Sequence, residues 1–284
     1  MKNVVFNLLF IFFLIPAFII PQIFEYQTSI GNFKKASSFY VSANGIIYVT
    51  DSGSNQVTSL DTLGNILEST GGYGWAEETF DEPVDVYATP LNIYVSDKNN
   101  HRIQRFDRNL NYISSITTRD YGNDEVKFGY PLGCVVSNQG DIYILDSENQ
   151  RVIKFDLFGN FVQNFGGFDA GNYQLKRPIS MAVSPANLLY VADDSGIIIF
   201  DSFGNGIGKI SLDVKPVSVR IIFDELSITS NNIIYSYNLR SESLNISEIQ
   251  FSEFEIKNTI SSFIYNNKLY ILFPDKISIF NAAN

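Results

Sequence analysis

Short apolar strings alternate with polar turns along most of the chain. Residues 92–107, N-I-Y-V-S-D-K-N-N-H-R-I-Q-R-F-D, hold two such strings with turn-forming Lys98, Asn99 and Asn100 between them. The first string is β-branched and aromatic, and the second alternates polar with apolar positions. Both patterns are typical of β-strands, so the stretch predicts a β-hairpin.

The same hairpin recurs along the sequence. Strings of the form apolar-Tyr-apolar end in an aspartate at four places, which are Asp51, Asp97, Asp146 and Asp193. A further strand-like string stands on either side of each hairpin, for example at residues 83–88 and 112–116. The unit therefore has four strands and repeats roughly every 45 residues, which is typical of the blade of a β-propeller.

Six units can be counted. The first four are regular, the fifth (residues 216–249) is degenerate, and the sixth offers only three strands between residues 259 and 280. A spare strand at residues 25–30 precedes the first unit, and we expect it to complete the last blade, because that pairing removes two exposed sheet edges. The predicted fold is all-β: a six-bladed β-propeller of four-stranded antiparallel blades, closed by the N-terminal strand.

The N-terminus has the pattern of a targeting segment. Lys2 is followed by an almost unbroken apolar run at residues 4–20. This pattern predicts either a cleaved signal peptide or an uncleaved N-terminal anchor, within residues 1–21, ahead of a propeller at residues 22–284. Either alternative places the propeller outside the cytoplasm, in the periplasm, at the cell surface or secreted. Membrane contact is expected only through this segment, if it is retained.

The net charge and the rarest residue types exclude or disfavour several kinds of partner and site. The formal net charge is -10 and the sequence pI about 4.6, which disfavours nucleic acid as a partner because an acidic surface repels phosphates. The single cysteine, Cys134, excludes an intramolecular disulfide, and its apolar surroundings predict a buried thiol. With His101 as the only histidine, zinc sites built from several histidines are excluded.

The strings P-V-D-V…N-I-Y-V-S-D-K-N-N-H-R-I-Q-R-F-D and P-L-G-C-V-V…D-I-Y-I-L-D-S-E-N-Q-R-V-I-K-F-D resemble the NHL repeat. The resemblance covers about residues 33–210, with the repeat arginine present as Arg102 and Arg151 and replaced by Gln56 in the first unit. It implies a six-bladed β-propeller. It does not fix the function, because propellers similar to this one include amidating lyases, RNA-binding modules, sensor-kinase ectodomains and exported proteins.

The repeated acidic residues are expected to be structural. A carboxylate that recurs at one position in four units predicts hydrogen bonds to the backbone of the following turn, rather than a metal or catalytic role. We therefore interpret Asp51, Asp97, Asp146 and Asp193 as structural positions, with Arg102 and Arg151 as ion-pair partners in two units.

One face of the disc is the expected recognition surface. The long connections at residues 71–80, 117–127 and 168–177 emerge there, together with the turns between second and third strands. The candidate ligand-face residues are Tyr73, Trp75, His101, Arg119, Tyr121, Tyr173 and Arg177. The leading hypothesis is a non-enzymatic binding or scaffold propeller that recognises a protein, peptide or glycan and needs no cofactor.

The alternative is a metal-dependent hydrolase or lactonase with its site at the central channel. A propeller similar to gluconolactonases would hold a divalent cation there with Glu, Asn and Asp side chains of inner strands. Asp85 is the clearest inner-strand acid, and Arg220 opposes it. A hard cation needs about six oxygen ligands, and the sequence does not assemble that set, so the presence of a metal stays open.

Overall fold

The structure is a computed structural model that describes residues 23–194, 196–241, 246–252 and 254–283. The predicted targeting segment, residues 1–21, lies outside the described residues. Within the described part, no helix is long and apolar enough to cross a membrane. Among the same residues one short 3₁₀ helix, Gly171–Tyr173, interrupts an otherwise all-β arrangement.

The strands form six blades arranged in a ring around a central channel. The first strand, β1 (Ile23–Ile30), belongs to the last blade. Blade one consists of β2 (Ala36–Val41), β3 (Ile47–Asp51), β4 (Gln56–Leu60) and β5 (Ile66–Gly71). Blade two consists of β6 (Pro83–Ala88), β7 (Asn92–Asp97), β8 (Arg102–Asp107) and β9 (Tyr112–Ile116). Blade three consists of β10 (Pro131–Val136), β11 (Ile142–Asp146), β12 (Arg151–Phe155) and β13 (Phe161–Phe165).

The second half of the ring follows the same order. Blade four consists of β14 (Ser180–Val183), β15 (Leu189–Asp193), β16 (Gly196–Phe200) and β17 (Gly206–Ser211). Blade five consists of β18 (Ser218–Ile222), β19 (Glu225–Thr229), β20 (Ile234–Asn238) and the two-residue β21 (Ser247–Glu248). Blade six contains β23 (Ser261–Tyr265), β24 (Lys268–Leu272) and β25 (Ile277–Ala282), joined by β1 and by β22 (Gln250–Phe251).

The first two strands of each blade are mostly buried, whereas the third strand is less so in blade five and the outer strands are mostly half-buried or exposed. The second strands β3, β11 and β15 are buried at every position, because neighbouring blades pack on both of their faces. The outer strand β9 is instead exposed at alternate positions. The apolar core lies between adjacent blades: the rings of Phe39 in blade one and Phe263 in blade six, for example, are 4.4 Å apart.

The N-terminal strand closes the ring, as the sequence predicts. β1 pairs antiparallel with β25 from Phe24–Ala282 to Ile30–Ile277. The Phe24 side chain is fully buried in the core of blade six. β1 starts two residues before the predicted strand, and β22 pairs in parallel with its first two residues. First and last segments of the described chain therefore share one sheet.

The fifth blade differs from the prediction at its outer edge. The predicted fourth strand covers residues 244–249, of which 244 and 245 lie outside the described residues. Within the described part Ser247–Glu248 forms a two-residue ladder with β20, and the Ile249 N–H donates to the carbonyl oxygen of Ile234. The connections between blades and the turns between second and third strands emerge on the side of the disc that we call the loop face. The other turns emerge on the opposite face.

Candidate functional site

The repeated aspartates tie each blade to the connection that enters it. The Asp51 carboxylate accepts hydrogen bonds from the backbone N–H groups of Lys34 at 2.8 Å and Lys35 at 2.9 Å. Burial alone would raise the pKa of Asp51, but these N–H groups outweigh it and hold the pKa below its usual value. Asp193 accepts equivalent bonds from the N–H groups of Lys176 and Arg177.

In blade two the repeat arginine extends this arrangement to the preceding connection. Arg102 donates from Nε to the Asp97 carboxylate at 2.8 Å, inside the buried part of the turn. Its Nη1 donates to the carbonyl oxygen of Trp75, and its Nη2 donates to those of Ala76 and Thr79, all at 2.9 Å. One side chain therefore fixes the connection between blades one and two.

Blade three repeats the clamp. Arg151 donates from Nε to Asp146 at 3.1 Å and from Nη2 to the carbonyl oxygens of Asp124 and Lys127. The connection between blades two and three is thus held in the same way as the connection before it. The two arginines of the repeat motif hold connections of the loop face, and not only their own turns.

The clamped connections present aromatic and cationic side chains at the loop face. Trp75 is 77% exposed and Tyr73 is 73% exposed. Trp75 and Arg119 line a shallow cavity of about 130 Å³ together with Asn99, Asn100 and Arg102. The amide of Asn100 donates to the carbonyl oxygen of Gly74, which fixes the turn beside the indole. We call these five cavity residues the Trp75 site.

The remaining candidates fall outside this site. Tyr121 is exposed on the same connection as Arg119. Arg177 lies further round the face, where its Nε is 3.6 Å from Asp194. Tyr173 is half-buried, with the ammonium group of Lys209 5.8 Å from its ring centroid, so it packs on the edge of blade four rather than at the surface of the loop face.

His101 lies buried below the predicted ligand face. Its side chain is only 8% exposed, and its Nδ1 accepts a hydrogen bond from the backbone N–H of Tyr130 at 3.2 Å. The two rings lie 4.2 Å apart. Burial lowers the pKa of His101, and the neighbouring Arg119 lowers it further. His101 occupies the junction between blades two and three and presents no ring face to a ligand.

The central channel contains a buried ion pair. Asp85 of β6 and Arg220 of β18 come from opposite blades, and Arg220 Nη2 lies 2.5 Å from Asp85 Oδ1. Ser38 Oγ donates to the same carboxylate at 2.7 Å. Burial raises the pKa of Asp85, although Arg220 opposes that effect. The pair joins blades two and five across the channel.

Small or polar residues ring the channel at one repeat position. Ser38, Asp85, Gly133, Ser180, Ser218 and Ser261 stand at this position in blades one to six. A methyl group built on Gly133 would lie 3.1 Å from Asp85 Oδ2, so the inner strand of blade three comes close to the carboxylate. Sequence reasoning named Asp85 and Arg220 but missed the four serines, although each stands at the same place in its inner strand.

Two cavities flank the ion pair. The cavity on the loop-face side measures about 280 Å³, and we call it the vestibule; Asp85, Arg220, Ser180, Ser218 and Ser261 line it. The cavity on the opposite side measures about 230 Å³ and lies above the rings of Tyr40 and Tyr87, whose centroids are 4.8 Å apart. Burial raises the pKa of Tyr40 to about 12, so both phenols stay neutral at physiological pH.

The channel residues do not fit a divalent metal ion. Calcium needs six to eight oxygen ligands, and carboxylates usually supply several of them. The vestibule offers one carboxylate, Asp85, which Arg220 already neutralises. Across the residues that the structure describes, no three His, Cys, Asp or Glu side chains are grouped so that they could hold a metal.

Comparison with known proteins agrees with this architecture. The NHL repeat family model matches residues 80–106 and 128–155, in blades two and three. No curated protein matches the sequence. The fold is similar to a putative gluconolactonase (TM-score 0.69, 11% identity, covering 92% of this chain and 94% of that one). It is also similar to a gluconolactonase from Xanthomonas campestris (0.66, 12%, 93% and 97%).

A third similar structure is a catalytically inactive virginiamycin B lyase from Staphylococcus aureus, solved with quinupristin (TM-score 0.61, 14% identity, covering 88% of this chain and 81% of that one). At such low identity these likenesses show a common fold. Together with the family match and the ring of six blades, they identify the architecture. The protein is a six-bladed β-propeller with NHL repeats in its second and third blades.

Proposed function

We propose that the protein is a non-enzymatic binding propeller that recognises a protein, peptide or glycan partner through its loop face, outside the cytoplasm. The observation that carries the proposal is the exposed Trp75 indole on a connection that Arg102 fixes with three hydrogen bonds. A large aromatic side chain in a rigid loop loses little conformational entropy on binding, and such residues dominate binding energies at interfaces.

The neighbours of Trp75 suit a polar partner. Arg119 brings a guanidinium group, and Asn99 an exposed side-chain amide, to the edge of the cavity. A guanidinium group donates several hydrogen bonds to carbonyl or carboxylate oxygens. An indole face packs on aliphatic side chains, cations or the apolar face of a sugar ring. The combination supports recognition of a partner that offers both apolar and oxygen-rich groups.

The extracytoplasmic location is part of the same proposal. It rests on Lys2 and the apolar run at residues 4–20, which have the pattern of an export signal or an anchor. Whether this segment is cleaved can be read from the N-terminal sequence or the intact mass of the mature protein purified from its host. A cytoplasmic mature protein that retains the segment would contradict this part of the proposal.

A competing function is a hydrolase or lactonase at the channel, and the named activities of the similar structures favour it. The residues of this chain disfavour its metal-dependent form, because Asp85 is the single carboxylate of the vestibule and is paired with Arg220. A channel site could still bind a ligand without a metal.

A selection experiment tests the binding proposal. A displayed peptide library and a glycan array are probed with the full chain, and the ligands found are tested against a Trp75→Ala/Arg119→Ala variant. Phe203→Ala is the matched control, because Phe203 is equally exposed but lies in a turn of the opposite face. The proposal expects ligands that lose at least tenfold in affinity with the double variant and keep it with Phe203→Ala. Ligands that bind all three proteins equally would overturn it.

A further inference from the structure

A guanidinium group that lines the vestibule has more N–H donors than there are acceptors around it. Arg220 is only 5% exposed, and a guanidinium carries five N–H donors. Nη2 donates two short hydrogen bonds, to Asp85 Oδ1 at 2.5 Å and to Ser38 Oγ at 2.6 Å. Nη1 has only two long contacts of 3.4 Å, with Ser180 Oγ and the Val219 carbonyl oxygen. Nε has no hydrogen-bond partner among the described residues, but it is itself fully buried, so Nη1 is the under-used donor that the proposal relies on.

This imbalance needs an explanation in physical terms. A buried N–H group without an acceptor costs about 1–3 kcal/mol, and more when the group is charged. Most buried polar groups in proteins are therefore paired, and the exceptions point to a function or to a bound molecule. Ser180 cannot supply the missing acceptor fully, because its Oγ also contacts the N–H and the carbonyl oxygen of Val219 at 3.3 Å.

The lining of the vestibule defines what could complete the site. Its wall carries hydroxyl groups, with Ser218 and Ser261 joined Oγ to Oγ at 2.8 Å, and its floor carries the ion pair. Hydroxyl groups both donate and accept, and therefore suit the hydroxyl groups of a ligand. The volume of about 280 Å³ equals that of about nine water molecules in the liquid, enough for a small organic acid.

We propose that the vestibule is a binding site for a small hydroxylated carboxylate, a hydroxy acid or sugar acid, whose carboxylate binds Arg220 and whose hydroxyl groups contact Ser180, Ser218 and Ser261. Arginine forms strong, charge-assisted hydrogen bonds with carboxylates, and Nη1 is the terminal nitrogen that lacks a short one. The site uses neither the Trp75 site nor a metal ion, and it stands or falls independently of the loop-face function.

Asp85 gives the site a pH dependence. A second carboxylate on Arg220 places two negative charges beside one positive charge, and burial already raises the pKa of Asp85. Ligand binding therefore favours protonation of Asp85, so affinity should rise as the pH falls from 8 towards 5 while the ligand remains ionised. The other titratable groups facing the pair are Cys134 and Tyr40, and burial keeps both neutral in this range.

The test is calorimetric titration of the full chain with galacturonate and with galactose, which differ by a carboxylate in place of a hydroxymethyl group. We expect galacturonate to bind at least tenfold more tightly than galactose, and more tightly at low pH. Arg220→Lys keeps a positive charge opposite Asp85 but removes the guanidinium Nη1 donor, and it should lower galacturonate affinity about tenfold or more.

A matched pair of serine variants tests whether the ligand binds in the vestibule itself. Ser261 and Ser262 are adjacent, both are buried, and each forms one hydroxyl pair, with Ser218 at 2.8 Å and with Thr229 at 2.7 Å. Ser261 lines the vestibule and Ser262 does not. Ser261→Ala should weaken galacturonate binding several-fold, and Ser262→Ala should leave it unchanged. Equal binding of galactose, equal effects of the two serine variants, or no binding of galacturonate at millimolar concentration would overturn the proposal.

Discussion

Arg102 donates a hydrogen bond to the carbonyl oxygen of Trp75 at 2.9 Å, and this bond connects the repeat motif to the loop face. The arginine belongs to blade two, while the tryptophan belongs to the connection that precedes that blade. Nε of the same guanidinium group donates to the Asp97 carboxylate at 2.8 Å. A residue that the motif uses for structure therefore also positions the exposed indole.

Replacing Arg102 should both destabilise the protein and release Trp75. In Arg102→Met the fully buried Asp97 carboxylate loses its ion-pair partner, which should lower the free energy of unfolding by about 3 kcal/mol. The fluorescence anisotropy of the single tryptophan should also fall, because its loop loses three hydrogen bonds. Denaturant unfolding and steady-state anisotropy measure the two effects.

Arg151→Met is the matched control. It removes the equivalent clamp from blade three and should cost a similar free energy of unfolding. The parent Arg151 side chain bonds to residues 124 and 127 and not to the Trp75 connection, so its loss should leave the anisotropy of Trp75 unchanged. If both variants altered the anisotropy equally, the local clamp would not be what positions Trp75.

Closure of the ring should contribute strongly to stability. Phe24→Ala removes a fully buried ring from blade six and should lower the free energy of unfolding by about 3–5 kcal/mol. The neighbouring Ile23, at the exposed start of β1, serves as control, and Ile23→Ala should cost much less. Similar unfolding midpoints for the two variants would argue that β1 contributes little to the closed ring.

His101 should make stability depend on pH. Its pKa in the folded protein is below the unfolded value of 6.5, because burial and then Arg119 disfavour the charged form, with Glu148 acting in the opposite direction. Around and below pH 6.5 the unfolded chain therefore binds more protons than the folded protein. The stability that His101 contributes is lost as the pH falls through its folded pKa. Its contribution is fully present above pH 6.5.

Thermal unfolding between pH 7 and 5 measures this effect. His101→Asn should have a flatter stability profile in that range, since asparagine tolerates the positive φ of 50° at this position but does not titrate. An identical slope in the variant and the parent protein would assign the pH dependence to other groups.

Metal ions should not stabilise the protein. A ligand that binds only the folded state raises the melting temperature, and the channel lacks the oxygen ligands of a hard-cation site. The melting temperature should therefore be the same with EDTA and with added calcium, magnesium or zinc. A rise of several degrees that EDTA reverses would instead support the metal-dependent hydrolase.

The architecture was predictable because it is periodic. Apolar-Tyr-apolar strings ending in Asp51, Asp97, Asp146 and Asp193 reveal the blades, and a spare strand beside a three-stranded last blade reveals the closure. Blade five was harder to predict, because its outer strand is reduced to Ser247–Glu248 in the described chain. Short edge strands leave little periodicity to read.

The site was only partly predictable. Exposure of Trp75 and Arg119 follows from their place in long connections, but burial of His101 does not, because it depends on the Tyr130 backbone of the next blade. The ion pair of Asp85 with Arg220 joins residues from opposite blades. Such a contact depends on ring geometry, which sequence periodicity alone does not specify.

Acrylamide quenching of tryptophan fluorescence tests the central claim most directly, since Trp75 is the single tryptophan of the chain. The full chain is titrated with the tightest ligand from the peptide and glycan selection, and the quenching constant is measured with and without it. Binding at the loop face predicts a marked fall in the quenching constant as the indole becomes covered. An unchanged quenching constant with saturating ligand bound would contradict the claim that Trp75 forms the recognition surface.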